Sequence, residues 1–133
     1  MPARILIADD FDDNREILRL MLEGVGHSIR EARNGRECVE MAKAEVPDLC
    51  LIDLSMPLLD GWGVLRELRA DARTRDIPCI AVTAFTDTTR GRRHETEEFD
   101  GYISKPFRGK DLIETVANML DERDDGGEKP QAE

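Results

Sequence analysis

The sequence predicts an α/β domain built on a parallel five-stranded sheet with helices on both faces. Two observations carry that prediction. Five short apolar runs alternate with amphipathic stretches along nearly the whole chain, the pattern of a sheet whose strands are joined by helical, right-handed crossovers. The chain has 133 residues, enough for one domain with its own core, since domains run on the order of 100–150 residues.

Each element has a local reason. Ile5-Leu6-Ile7-Ala8 is apolar and stopped by charge, as a strand buried on both faces would be. Residues 12–24 repeat apolar positions at helical spacing through Ile17, Leu18, Met21, Leu22 and Val25, with Asp12 or Asp13 as N-cap and Gly24 as stop. Ser28–Ala32 reads as a weaker strand of charged, edge character. Residues 35–45 form a second helix through Val39, Ala42 and Val46, closed by Pro47. Leu49-Cys50-Leu51-Ile52 is the most apolar run and is placed centrally. Residues 60–71 give a third helix, residues 77–82 a fourth strand and residues 99–104 a fifth. Residues 108–122 close the domain with a helix through Leu112, Ile113, Val116, Ala117 and Leu120. The domain is expected to span residues 1–122, and the acidic stretch 123–133, almost free of apolar residues, to be a disordered tail.

Composition excludes several classes. Lys and Arg number 19 against 29 Asp and Glu, a net charge of -10. Residues 121–133 contribute -4 of this, and the rest of the chain remains acidic. Nucleic acid is therefore not an expected partner, because phosphate binding relies on clustered cations. No apolar run approaches the ~20 residues of a membrane span, and the N-terminus lacks the features of a secretion signal. A cytoplasmic protein is expected. Cys38, Cys50 and Cys79 are an odd number without metal-ligand spacing and read as reduced, small apolar residues.

In a parallel sheet the C-terminal ends of the strands share one edge, and ligands bind there. The first strand ends in Asp9-Asp10, the third in Asp53, the fourth in Thr83 and the fifth in Lys105-Pro106. Each residue has a bland alternative: an acidic pair before a helix, a turn hydroxyl, a loop lysine. Five such residues at the ends of four strands make the functional reading the stronger one. Clustered carboxylates repel, and a hard divalent cation resolves the conflict; Mg²⁺ takes one or two carboxylates plus phosphoryl oxygens. A lysine ammonium and a threonine hydroxyl suit phosphoryl oxygens, and an aspartate can be the nucleophile of phosphoryl transfer.

At these residues the chain resembles the receiver domain of two-component response regulators, of the CheY-like type. The motifs are Ala8-Asp9-Asp10, Ile52-Asp53-Leu54-Ser55-Met56-Pro57 with Asp60-Gly61, Val82-Thr83-Ala84, and Tyr102-Ile103-Ser104-Lys105-Pro106. The resemblance covers residues 3–121 and implies a flavodoxin-like (βα)5 fold with strand order 2-1-3-4-5 and a cis Lys-Pro bond. It implies Asp53 as phosphoacceptor, Asp10 as direct Mg²⁺ ligand, Asp9 acting mostly through coordinated water, and the Ser55 backbone carbonyl completing the metal site. Thr83 is similar to the switch hydroxyl, Lys105 to the phosphoryl-binding lysine, and Tyr102 to the aromatic that changes rotamer with the threonine. Ser55 and Phe85 match positions that tune water attack on the acyl-phosphate.

The implied partners are a histidine kinase or histidine phosphotransfer protein as donor, and a downstream protein as target. The implied activity is limited to the domain's own phosphorylation and dephosphorylation. With no effector segment or basic reading head in these residues, output is expected through protein–protein contact or phosphate relay. A haloacid-dehalogenase-type phosphatase would carry its nucleophile after the first strand in an Asp-x-Asp arrangement, and an FMN binder would need a hydroxyl- and Gly-rich phosphate loop there. A receiver-shaped module working without phosphorylation is the remaining alternative, disfavoured by the intact acid set. One departure from the resemblance stands out. Residues 86–98 contain no apolar residue, so the helix expected between the fourth and fifth strands lacks a stripe to bury and is expected to be short or mobile.

Overall fold

The structure, a computed structural model, describes residues 3–84 and 99–126. The elements are β1 (Arg4–Ala8), α1 (Asp12–Glu23), β2 (Ser28–Ala32), α2 (Gly35–Ala44), β3 (Leu49–Asp53), α3 (Gly61–Ala70), β4 (Cys79–Ala84), β5 (Gly101–Lys105) and α4 (Gly109–Gly126). All strand pairings are parallel, in the order β2-β1-β3-β4-β5. The expected helix within residues 86–98 and most of the expected tail lie outside the described residues.

Strand alternation divides the apolar residues between two cores. Ile5, Ile7, Leu49, Leu51, Ile80 and Val82 face Leu18 and Leu22 of α1 and Leu112 and Val116 of α4. Leu6, Ala8, Cys50, Ile52, Cys79 and Ala81 face Val39 and Ala42 of α2 and Val64, Leu65 and Leu68 of α3. Both faces of β1 and β3 are thus covered, which is why their sequences are nearly continuous apolar runs. β2 lies at the edge, as its charged residues require. All three cysteines are buried and unpaired by disulfides.

Several boundaries differ from the sequence expectations. Phe11, not Asp12 or Asp13, is the α1 N-cap, without a side-chain cap bond; both acids sit in the first turn, and Asp12 pairs with Arg15. The buried stripe of α1 is Arg15, Leu18 and Leu22, whereas Ile17 is 45% and Val25 50% exposed. Val25 falls beyond the helix, which ends at Gly24. β4 starts at Cys79 because Pro78 lacks the N–H a ladder needs. β5 starts at Gly101 rather than Phe99, and α4 extends past residue 122 to Gly126. Asn34 and Asp60 cap α2 and α3 by accepting from Glu37 N at 2.8 Å and Gly63 N at 2.9 Å. Among the described residues no helix is long and apolar enough to cross a membrane.

Candidate phosphoryl and metal site

Register brings the strand ends together. Ala8 pairs with Ile52, so Asp9 and Asp53 leave neighbouring strands side by side. Asp53 pairs with Val82, placing Thr83 one step further, and Ala84 pairs with Lys105. Gly61 allows α3 to start against the end of β3: a Cβ there would lie 2.8 Å from the Asp53 carbonyl oxygen. The turn after β3 is therefore compact, and Ser55 N donates to Asp53 Oδ1 at 3.1 Å.

One carboxylate oxygen from each of Asp9, Asp10 and Asp53 lies within 4.8 Å of the others. Asp9 is 1% and Asp53 6% exposed, whereas Asp10 is open to solvent. Lys105 Nζ donates to Asp53 Oδ2 at 3.4 Å and stands 3.8 Å from Asp9 Oδ2. The Lys105-Pro106 bond is cis. Thr83 is fully buried at the end of β4. Tyr102 is 51% exposed on β5, a strand away from Asp53. Phe85 lies outside the described residues.

Charge is held here against resistance. Burial, then the neighbouring Asp9 carboxylate, push the Asp53 carboxyl up to about 6, while Lys105 and the Ser55 N–H pull it back. Asp9 Oδ1 accepts from Phe11 N at 2.9 Å. Asp9 Oδ2 is buried and has no hydrogen-bond partner among the described residues. An unsatisfied buried carboxylate oxygen beside two further acids is the donor set that a hard divalent cation fits. Next to it, a cleft of about 550 Å³ opens between α1 and the β5–α4 connection, lined by Asn14, Ile17, Met21, Pro106 and Phe107 among others.

Arg15 was not among the sequence-derived site residues, yet it reaches this site, donating from Nη1 to the Asp9 carbonyl oxygen at 2.7 Å. The signal was a charged residue three positions before Leu18 on the apolar stripe.

An acid cluster, a hydroxyl and a lysine at the C-terminal edge of a 2-1-3-4-5 parallel sheet define a phosphoryl-accepting α/β domain. The response regulator receiver domain family matches residues 5–117, and the chain belongs to it. It is 39% identical over 121 residues to the protein PilH of Pseudomonas aeruginosa, covering 89% of this chain and 98% of that one. It is 35% identical over 120 residues to the polar-differentiation response regulator DivK of Brucella anthropi, covering 90% of this chain and 98% of that one. Among solved structures, the receiver domain of a sensor histidine kinase from Pseudomonas aeruginosa superposes with a TM-score of 0.83 at 28% identity, covering 91% of this chain and 99% of that one. That structure holds a magnesium ion in its active-site cleft. The chain is accordingly a phosphoacceptor response regulator of the two-component type.

Proposed function

We propose that this receiver takes a phosphoryl group from the phosphohistidine of a histidine kinase or phosphotransfer protein onto Asp53. The observation that carries the assignment is the convergence of Asp9, Asp10 and Asp53 within 4.8 Å, with Lys105 Nζ 3.4 Å from Asp53 Oδ2. Among the described residues, Asp53 is the one of the three acids that accepts a hydrogen bond from the lysine, while its other oxygen accepts from the Ser55 N–H. One Asp53 oxygen attacks phosphorus, the phosphorus–nitrogen bond breaks, and the imidazole leaves as the new acyl-phosphate forms.

Asp9, Asp10, Asp53 and the Ser55 carbonyl would hold Mg²⁺. Bound there, the ion neutralises carboxylate repulsion and the charge that develops on the phosphoryl oxygens. Lys105 contacts a second phosphoryl oxygen and Thr83 donates to a third. Tyr102 follows Thr83 by changing rotamer, and the altered face at the edge strand β5 binds a downstream protein in the cytoplasm. Phe11, Ile17 and Leu20, at 65%, 45% and 54% exposure, give the donor protein an apolar surface on and just before α1. The protein acts on no substrate beyond its own phosphorylation and dephosphorylation.

With Mg²⁺ and acetyl phosphate, the protein should gain one base-labile, acid-stable phosphoryl group, and Asp53→Asn should lose it. Undiminished labelling of that variant would overturn the assignment. Ser55 and Phe85 set the lifetime of the acyl-phosphate in this reading, Phe85 by excluding water. Phe85→Ala should hydrolyse faster; an unchanged rate removes Phe85 from that role.

A further inference from the structure

Arg15 is the one buried cation among the described residues, 7% exposed on a helix whose other buried residues are Leu18 and Leu22. Burying a guanidinium is costly unless its donors are used. Here they are used on the frame of the site. Nη1 donates to the Asp9 carbonyl oxygen at 2.7 Å, Nε to Glu31 Oε1 at 3.1 Å, and Nη2 to Asp12. The second Glu31 oxygen is fixed by Arg19 Nε at 2.9 Å. Glu31 precedes Ala32, whose carbonyl accepts from Asp9 N at 3.1 Å. The Asp9 peptide is thus gripped from both sides, directly by β2 and through an arginine that β2 orients.

The grip has a chemical consequence. With its backbone pinned and Oδ1 tied to Phe11 N, Asp9 presents Oδ2, the oxygen without a hydrogen bond, 3.8 Å from the Lys105 ammonium that also contacts Asp53. The bonds to Glu31 and Asp12 serve to aim the guanidinium. Anchoring α1 would need no buried charge, because Leu18 and Leu22 already bury against the sheet.

We propose that Arg15, oriented by Glu31, is a positioning residue that holds Asp9 in the geometry required for divalent-metal binding; this rests on the reading that the acid cluster binds Mg²⁺. Partners that orient metal ligands typically account for 10–100-fold in metal affinity. Arg15→Met keeps the apolar stem and removes every donor. Arg15→Lys keeps one donor for the Asp9 carbonyl but cannot serve Glu31 at the same time. Glu31→Gln leaves Arg15 charged and less firmly aimed.

The test is calorimetric titration of MgCl₂ into each full-length protein, with far-UV circular dichroism confirming the fold. Acetyl phosphate labelling is then measured at limiting and saturating Mg²⁺. Arg15→Met should weaken Mg²⁺ binding roughly tenfold, with Arg15→Lys and Glu31→Gln in between. At saturating Mg²⁺ its labelling rate should return to within about twofold of the wild type, as expected for a residue that acts through metal affinity. Should Arg15→Met fail to fold, Arg15→Lys and Glu31→Gln supply the comparison. Wild-type Mg²⁺ affinity in the folded variants, even with lowered melting temperatures, overturns the positioning role alone. A wild-type protein that neither binds Mg²⁺ nor labels on Asp53 overturns the proposed function as well.

Discussion

The Asp53 carboxyl, 6% exposed and held up at about 6 by burial and by Asp9, stores a pH-dependent cost in the metal-free protein. Its ordinary value is 3.8, so between about 4 and 6 the folded state binds more protons than the unfolded state. Stability therefore falls as pH rises through that window and the loss is complete above it. At 1.36 kcal/mol per pKa unit, the penalty at neutral pH is on the order of 2–3 kcal/mol. Asp53→Asn keeps the shape and removes the charge. In EDTA at pH 7.5 the variant should melt above the wild type, and the gap should close as pH is lowered toward 4. A less stable variant, or a gap that ignores pH, would contradict this account. Lys105 does not enter the balance as a loss, because Asp9 Oδ2 remains 3.8 Å from its ammonium.

Helix starts decide how tightly the loops around the site are drawn. A Cβ on Gly35, the first residue of α2, would lie 1.8 Å from the Leu59 carbonyl oxygen in the β3–α3 connection. Gly35→Ala would gain at most about 1 kcal/mol of helix propensity. It would lose more by forcing backbone apart, since overpacking typically costs ~1–3 kcal/mol. The variant should melt several degrees lower, whereas Gly24→Ala, whose nearest contact is 3.3 Å, should stay close to wild type. Equal melting of the two would show that the α2–loop contact yields freely. The same close packing explains what the sequence made legible and what it hid. Strand ends and their acids were readable because apolar runs stop at charge, as at Ala8-Asp9 and Ile52-Asp53. The inward face of α1 was not: Ile17 fits the apolar period, yet Arg15 takes the buried position because its donors have backbone and carboxylate acceptors there. A hydrophobic pattern cannot register a buried cation whose partners come from another strand. Phe11 as the α1 cap was hidden likewise, since the acid that would cap the helix is drawn to Arg15.

Across the whole molecule, the sheet gathers three carboxylates into a chain that already carries a net charge of -10. Two effects of salt on stability must then be separated. Any salt screens the diffuse self-repulsion of an acidic surface, acting over a Debye length of about 10 Å at 0.1 M. Only a hard divalent cation is expected to enter the acid cluster and bind the folded state selectively, because the unfolded chain does not hold Asp9, Asp10 and Asp53 together. Selective binding stabilises by RT ln(1 + [L]/Kd), about 2.7 kcal/mol when the ion is present at a hundred times its Kd. For a domain of this size each kcal/mol shifts Tm by about 4 °C. MgCl₂ should therefore raise the melting temperature by several degrees beyond NaCl of matched ionic strength. The double variant Asp9→Asn/Asp10→Asn, left with a single acid of the cluster, should keep the NaCl response and lose the excess due to Mg²⁺. Asp53→Asn should lose part of that excess, since one acid of the cluster becomes neutral while two remain. If MgCl₂ and matched NaCl shift the wild type equally, the cluster binds no divalent ion at the concentrations tested, and the stabilisation belongs to surface screening alone.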